Sequence, residues 1–123
     1  MADQNDNGAR TAVRPQPFTL YAAGGRLYAT NPAQKLIDLG ELKRDESGAF
    51  CWLLDGNHEH GSGFFSEEAA LGDVAEKLRF LWLDGQFTAV ADARAGVDLT
   101  GASRLDIVLD ELAPGERAYD ATV

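Results

Sequence analysis

Both histidines of the chain, His58 and His60, stand two residues apart in the stretch LDGNHEHGSG, with Glu59 between them. In extended chain a His-x-His pair puts both imidazoles on one side, which suits a divalent ion when a third ligand converges. None is assured. Glu59 would point away, Cys51 belongs to the preceding apolar run, and Glu67 or Glu68 would have to fold back from a helix start. The HExxH pattern of zinc hydrolases, with its histidines one helical turn apart, is absent. His58 and His60 are therefore weak metal candidates in what reads as a solvated connection of about a dozen residues, and no cofactor is expected.

Other chemistry finds less support. Ser62 lies between two glycines without the strand-to-helix spacing of a GxSxG nucleophile elbow, so Gly61-Ser62-Gly63 reads as a flexible linker. Cys51 beside Trp52 in an apolar segment has no cationic neighbour to lower its pKa and reads as a small core residue. No phosphate-cradling glycine loop of the Walker or dinucleotide type occurs, and Gly24-Gly25 is explained by a turn. Asp106, Asp110 and Glu111 could supply a carboxylate pair, but along an alternating strand they form its solvent face. A non-catalytic protein is the favoured class.

Charge says what such a protein would bind. The net charge is -9, and residues 1–40 hold three acids against four bases, residues 41–83 nine against four, and residues 84–123 eight against three. The bases are scattered, with no run and no interleaved aromatic platform, which argues against direct nucleic-acid binding. A protein partner with a basic surface is favoured, met by acids of the second half: Asp106, Asp110, Glu111 and Glu116. Acidity that merely confers solubility is the plainer alternative.

These residues need a frame. A chain of 123 residues suits one domain with one core. Residues 1–17 are polar and punctuated by Pro15 and Pro17, a disordered arm in this reading, with a single α+β domain over 18–123. FTLYAAGGRLYAT reads as a hairpin turning at Gly24-Gly25. In TNPAQKLIDLG, Asn31 as N-cap, Pro32, Gln34 and Gly40 favour a short helix over about 32–39, while the period of two through Ile37 and Leu39 describes a strand instead. A second hairpin, ELKRDESGAFCWLLDG, turns at Asp45 to Gly48 and places an apolar strand centrally.

One long helix is then expected from Ser66, its N-cap, to Leu83, with Leu71, Val74, Leu78 and Leu81 inward and Asp84-Gly85 as the stop. QFTAVADA (86–93) and SRLDIVLDEL (103–112) read as strands. The expected architecture is an antiparallel sheet packed on one face by that helix. One cysteine excludes an internal disulfide framework, no window approaches the ~18 apolar residues of a membrane span, and the N-terminus lacks a signal-peptide core, so a cytoplasmic protein is expected.

The functional expectation is a small acidic binding protein that caps a basic surface of a larger, nucleic-acid-handling protein, as inhibitors, immunity proteins and phage-encoded antagonists do. Two alternatives stand beside it. One is a metal-binding protein or metal-assisted enzyme using His58 and His60; the other is an assembly component that buries a sheet edge or the surroundings of Trp82.

Overall fold

A computed structural model describes residues 15–110. In order along the chain come β1 (Pro15–Ala23), β2 (Arg26–Thr30), β3 (Leu36–Arg44), β4 (Phe50–Leu54), β5 (His60–Phe64), α1 (Glu67–Lys77), α2 (Phe80–Ala89), a 3-10 turn (Arg94–Gly96) and β6 (Ser103–Asp110). The strands form one antiparallel sheet in the order β5-β4-β3-β2-β1-β6, so this is an α+β protein. Pro15 to Pro17, read from sequence as the end of a disordered arm, are the first residues of β1; the rest of that arm lies outside the described residues.

The hairpins follow local chemistry. Ala23 opposes Arg26, leaving Gly24-Gly25 as a two-residue turn with φ of +58° and +81°, the pair of left-handed conformations that suits the twist of the flanking strands. At the β3–β4 turn, Asp45 accepts from the backbone N–H groups of Ser47 and Ala49, and Gly48 takes the left-handed position at +87°.

The helix expected over 32–39 is absent. Asn31 does cap a turn, its Oδ1 accepting from Lys35 N at 2.9 Å and its carbonyl from Gln34 N at 2.9 Å. Gln34, however, sits at φ +67°, which ends any helix after a single turn. From Leu36 the period of two takes over. As β3 the segment gains ladders on both sides and buries Leu36, Ile37, Leu39 and Leu42, more than one face of a short helix would.

The single long helix is likewise broken. Ser66 is its N-cap, with Oγ accepting from Ala69 N at 3.0 Å, but α1 ends at Lys77 and Leu78 and Arg79 are extended, with ψ of 140° and 144°. Phe80, Leu81, Trp82 and Leu83 are consecutive, so on one straight helix they would point round most of its circumference, and only part could face the sheet. The break re-aims the chain. Leu78 stays buried, while α2 sends Leu83 and Phe87 into the core and leaves Leu81 half-buried. The Phe87 ring lies 5.9 Å from that of Phe18, and Phe80 6.2 Å from it. Asp84-Gly85, the expected stop, lies inside α2, and of the strand expected in QFTAVADA the first half, Gln86 to Ala89, is the end of that helix while the second half is irregular chain. Below α2 the chain returns to β3: Ala93 N donates to Leu36 O, Leu36 N to Asp92 Oδ1, and Lys35 Nζ to Phe87 O.

Helix α1 touches both edge strands, β5 and β6, as well as β1 and β4. Six strands at about 4.8 Å spacing span roughly 24 Å when flat, twice the ~10–12 Å width of a helix. The sheet must therefore curl around α1, with Phe18, Leu20, Leu27, Leu39, Trp52 and Leu54 in its concave core against Leu71, Val74 and Leu83. Among the described residues no helix is long and apolar enough to cross a membrane.

Candidate functional site

The HEH stretch is not a long open loop. His60 begins β5, opposite Leu53, so residues 55–59 form a hairpin turn between β4 and β5. Leu54 N donates to Glu59 O, His58 N to Leu54 O, and Glu59 N to Asn57 Oδ1. His58 takes φ +60° and His60 Nδ1 lies 3.5 Å from the His58 carbonyl, both rings being exposed. Among the described residues no three side chains of His, Cys, Asp or Glu gather where an ion could be held. Gly61-Ser62-Gly63, read as a flexible linker, is strand β5.

Gly61 has a structural task. A Cβ there would come within 2.4 Å of Asp73 Oδ2 and 2.6 Å of Trp52 Nε1, the two atoms joined by a 3.0 Å hydrogen bond. Only glycine leaves room for that bond, which ties the buried Trp52 to α1. Lys77 completes the group, 3.4 Å from Asp73 Oδ1 and 5.7 Å from the Trp52 ring. Cys51 is half-buried on the opposite, convex face, between Lys43 and Ser62 in register.

That convex face carries most of the sheet's polar side chains. Arg26 forks onto Asp38 through Nε at 3.1 Å and Nη2 at 2.8 Å, and Nη2 also reaches Asp55 Oδ2 at 2.7 Å. The Asp38 hydrogen bond is the main cause of the rise in the Arg26 pKa, so this guanidinium is a fixed cation. The helix signals over 32–39 hide the trio, because a helix there takes Asp38 out of the sheet. Following the period of two through Ile37 and Leu39 would have set Asp38 on the polar side of a strand.

Asp106 and Asp110 stand where the alternation of SRLDIVLD places them, exposed on the polar side of β6. Asp106 accepts from Thr19 Oγ1 at 2.9 Å and from Arg104 at 3.0 Å, and Arg104 lies 5.7 Å over the Tyr21 ring. The Arg104 hydrogen bond, then that of Thr19, holds the Asp106 carboxyl below the ordinary carboxylate range. Asp110 opposes Pro15 across the ladder. Glu111 and Glu116 lie outside the described residues.

A depression of about 90 Å³ lies between Pro17, Thr19, Thr30, Asn31 and Gln34. It is far below the ~300–1,000 Å³ of ordinary ligand pockets, and among the described residues no acid or base lines it. Nor do the most exposed apolar side chains make one patch. Leu53 in β4 and Val108 in β6 are four strand spacings apart, roughly 19 Å, and Phe65, 90% exposed, precedes α1. Compared with protein-family models, characterised proteins and solved structures, the chain matches none.

Proposed function

We propose that this is a non-catalytic binding protein that engages a basic surface on a larger protein partner. The observation that carries the reading is how the surface charge is spent. Four of the described bases are tied to acids of the same chain: Arg26 to Asp38 and Asp55, Lys43 to Glu41, Lys77 to Asp73, Arg104 to Asp106. Glu46, Glu59, Glu68, Glu76, Asp84 and Asp110 are exposed and carry no such ion pair within the described residues. Arg44, Arg79 and Arg94 are also exposed without an ion pair within the described residues, but the six acids outnumber them, so what projects outward is an excess of negative charge, suited to steer a cationic surface toward the molecule. The His58–Glu59–His60 turn supports metal chemistry less, since its rings have no third ligand beside them among the described residues.

The test is capture of partners from the source cell with the full chain, followed by association kinetics. Association should slow steeply as salt rises past about 0.15 M, where the Debye length is about 8 Å, while dissociation changes little. Charge reversal at Glu46, Glu76 and Asp84, which are exposed and carry no ion pair within the described residues, should weaken capture without unfolding the domain. A captured protein that is acidic at the contact, or an association rate indifferent to salt, would refute the reading.

A further inference from the structure

We infer that β6 pairs antiparallel with β6 of a second copy of this chain, about a twofold axis at Ile107, joining two sheets into one. β6 holds unbroken register with β1 over eight residues, Ser103 to Asp110, and among the described residues no strand pairs with its other side. Natural sheets blunt such edges with bulges, brevity, lysine or proline. β6 is neither short nor bulged and has no lysine or proline; the charges it does carry, Arg104, Asp106 and Asp110, are of both signs and so can pair across an edge, whereas β5, the opposite edge, is five residues long, meets a bulge in its pairing with β4 and carries Gly63 at φ +89°.

The prolines of β1 show which main-chain groups β6 presents. Pro15 opposes Asp110 and Pro17 opposes Val108. Neither has an N–H to give, so both fit at the non-hydrogen-bonded positions of this ladder. By alternation, Arg104, Asp106, Val108 and Asp110 then turn their N–H and C=O groups away from β1, toward the outer edge. Beneath them, Leu105, Ile107 and Leu109 are only half-buried although they pack on the core, and Val108 is 63% exposed.

The segment RLDIVLD is complementary to itself when reversed about Ile107. Arg104 then faces Asp110 of the second copy, Leu105 faces Leu109, Asp106 faces Val108, and Ile107 faces its own equivalent. Every residue with outward main-chain groups meets another of the same kind, so each such pair exchanges two hydrogen bonds. The apolar row of each copy covers the half-open row of the other, and an opposite-charge pair closes each end. Sliding the register by two residues sets Asp106 against Asp106 in one direction and Asp106 against Asp110 in the other, both like-charge pairs that a ladder disfavours. A slide of four restores an Arg104–Asp106 pairing but shortens the overlap to Ser103 through Ile107. Arg104 and Asp106 are 59% and 72% exposed as side chains, so Arg104 is free to exchange Asp106 for Asp110 of the second copy. The occupant fitted by charge, apolar pattern and hydrogen-bond phase together is therefore a second copy.

The experiment is sedimentation velocity on the full chain up to about 1 mM, a range that detects even weak self-association. A concentration-dependent dimer is expected. Val108→Pro removes an outward N–H without touching the β1 ladder, just as Pro15 and Pro17 leave it intact, and should give a monomer with the parent's melting temperature at low concentration. Arg104→Asp and Asp110→Arg should each weaken dimerisation by about tenfold or more, since each sets like charges opposite at both ends. Mixing these two variants should restore the dimer as a heterodimer. At one end the carboxylate introduced in the first variant would meet the guanidinium introduced in the second, and the other end would keep the native Arg104–Asp110 pair. That rescue decides the matter even if Val108→Pro does not fold. A parent that stays monomeric throughout, a folded Val108→Pro that dimerises like the parent, or charge variants whose mixture is no better than either alone would overturn the proposal. So would a captured heterologous strand that protects the β6 amides from exchange while the free protein remains monomeric.

Discussion

β5 and β6 form the two sides of one sheet, yet the first is short, bulged and sealed against α1, while the second is long, regular and half-open. At β5 the seal is specific. Gly61 lets Asp73 reach the Trp52 indole, and Lys77 sits over the same ring. At β6 the inner row of leucine and isoleucine is left partly uncovered, and the outer row is joined by exposed charge and hydroxyl contacts. Stability is thus concentrated at the β5 side, and surface is left for other uses at the β6 side. A fold that is secure at one edge can leave the other available for association.

The largest losses of stability are expected at the sealed edge. Trp52→Ala removes a buried indole and leaves Asp73 without its donor, and should cost about 3–5 kcal/mol. Gly61→Ala drives a methyl between Trp52 and Asp73; since side chains can give way where backbone cannot, about 1–3 kcal/mol is expected. Leu105→Ala at the open edge should cost clearly less than Trp52→Ala, because its side chain is only partly removed from water. Urea midpoints of the three variants check the order. If Leu105→Ala matched Trp52→Ala, the edges would not differ as described.

A second contrast lies within the helical segment. Leu83 is fully buried and Leu81 half-buried, two residues apart on α2. Leu83→Ala should cost about 2–5 kcal/mol and Leu81→Ala distinctly less. The reverse order would restore the single straight helix that the apolar spacing suggests and remove the break at Leu78-Arg79.

That break shows why some of the fold is readable from sequence and some is not. Both hairpin turns were legible because their signals are local: paired glycines adopt positive φ, and Asp45 caps its own turn. The alternation of SRLDIVLD placed Asp106 and Asp110 on the solvent side for the same reason. The segments 32–39 and 78–89 depend on partners far along the chain. Asn31 and Pro32 form a true start signal, yet β2 and β4 supply ladders that a local pattern cannot announce. Phe87 is called into the core by Phe18, 69 positions earlier, which makes a helix of residues that read as a strand. The candidate site was legible only as a list of acids. That Arg26, Lys43, Lys77 and Arg104 are each neutralised from within, leaving other acids outward, follows from register and therefore from tertiary structure.

The smallest expected effect sharpens the contrast at the open edge. Asp106 titrates below the ordinary carboxylate range because Arg104 and then Thr19 hydrogen-bond its charged form. In the unfolded chain it should titrate near its reference value of about 3.9. A carboxylate whose folded pKa is the lower of the two stabilises the fold above the unfolded pKa, and that contribution fades as pH falls through the folded one. Asp45 and Asp98 are lowered by hydrogen bonds in their own turns, and Asp92 by the backbone N–H of Arg94 and then that of Leu36 in β3; all three act in the same direction, so the protein should lose stability progressively below about pH 4. Asp106→Asn should remove part of that acid-side slope while changing stability at neutral pH only slightly, since both partners of the contact are largely exposed. Arg104→Gln should move the Asp106 carboxyl back toward its ordinary range, read directly as the midpoint of its carbon chemical shift in an NMR titration. An Asp106 midpoint unmoved by loss of Arg104 would mean that the polar face of β6 is not held by this pair, and that the edge is looser still than its register implies.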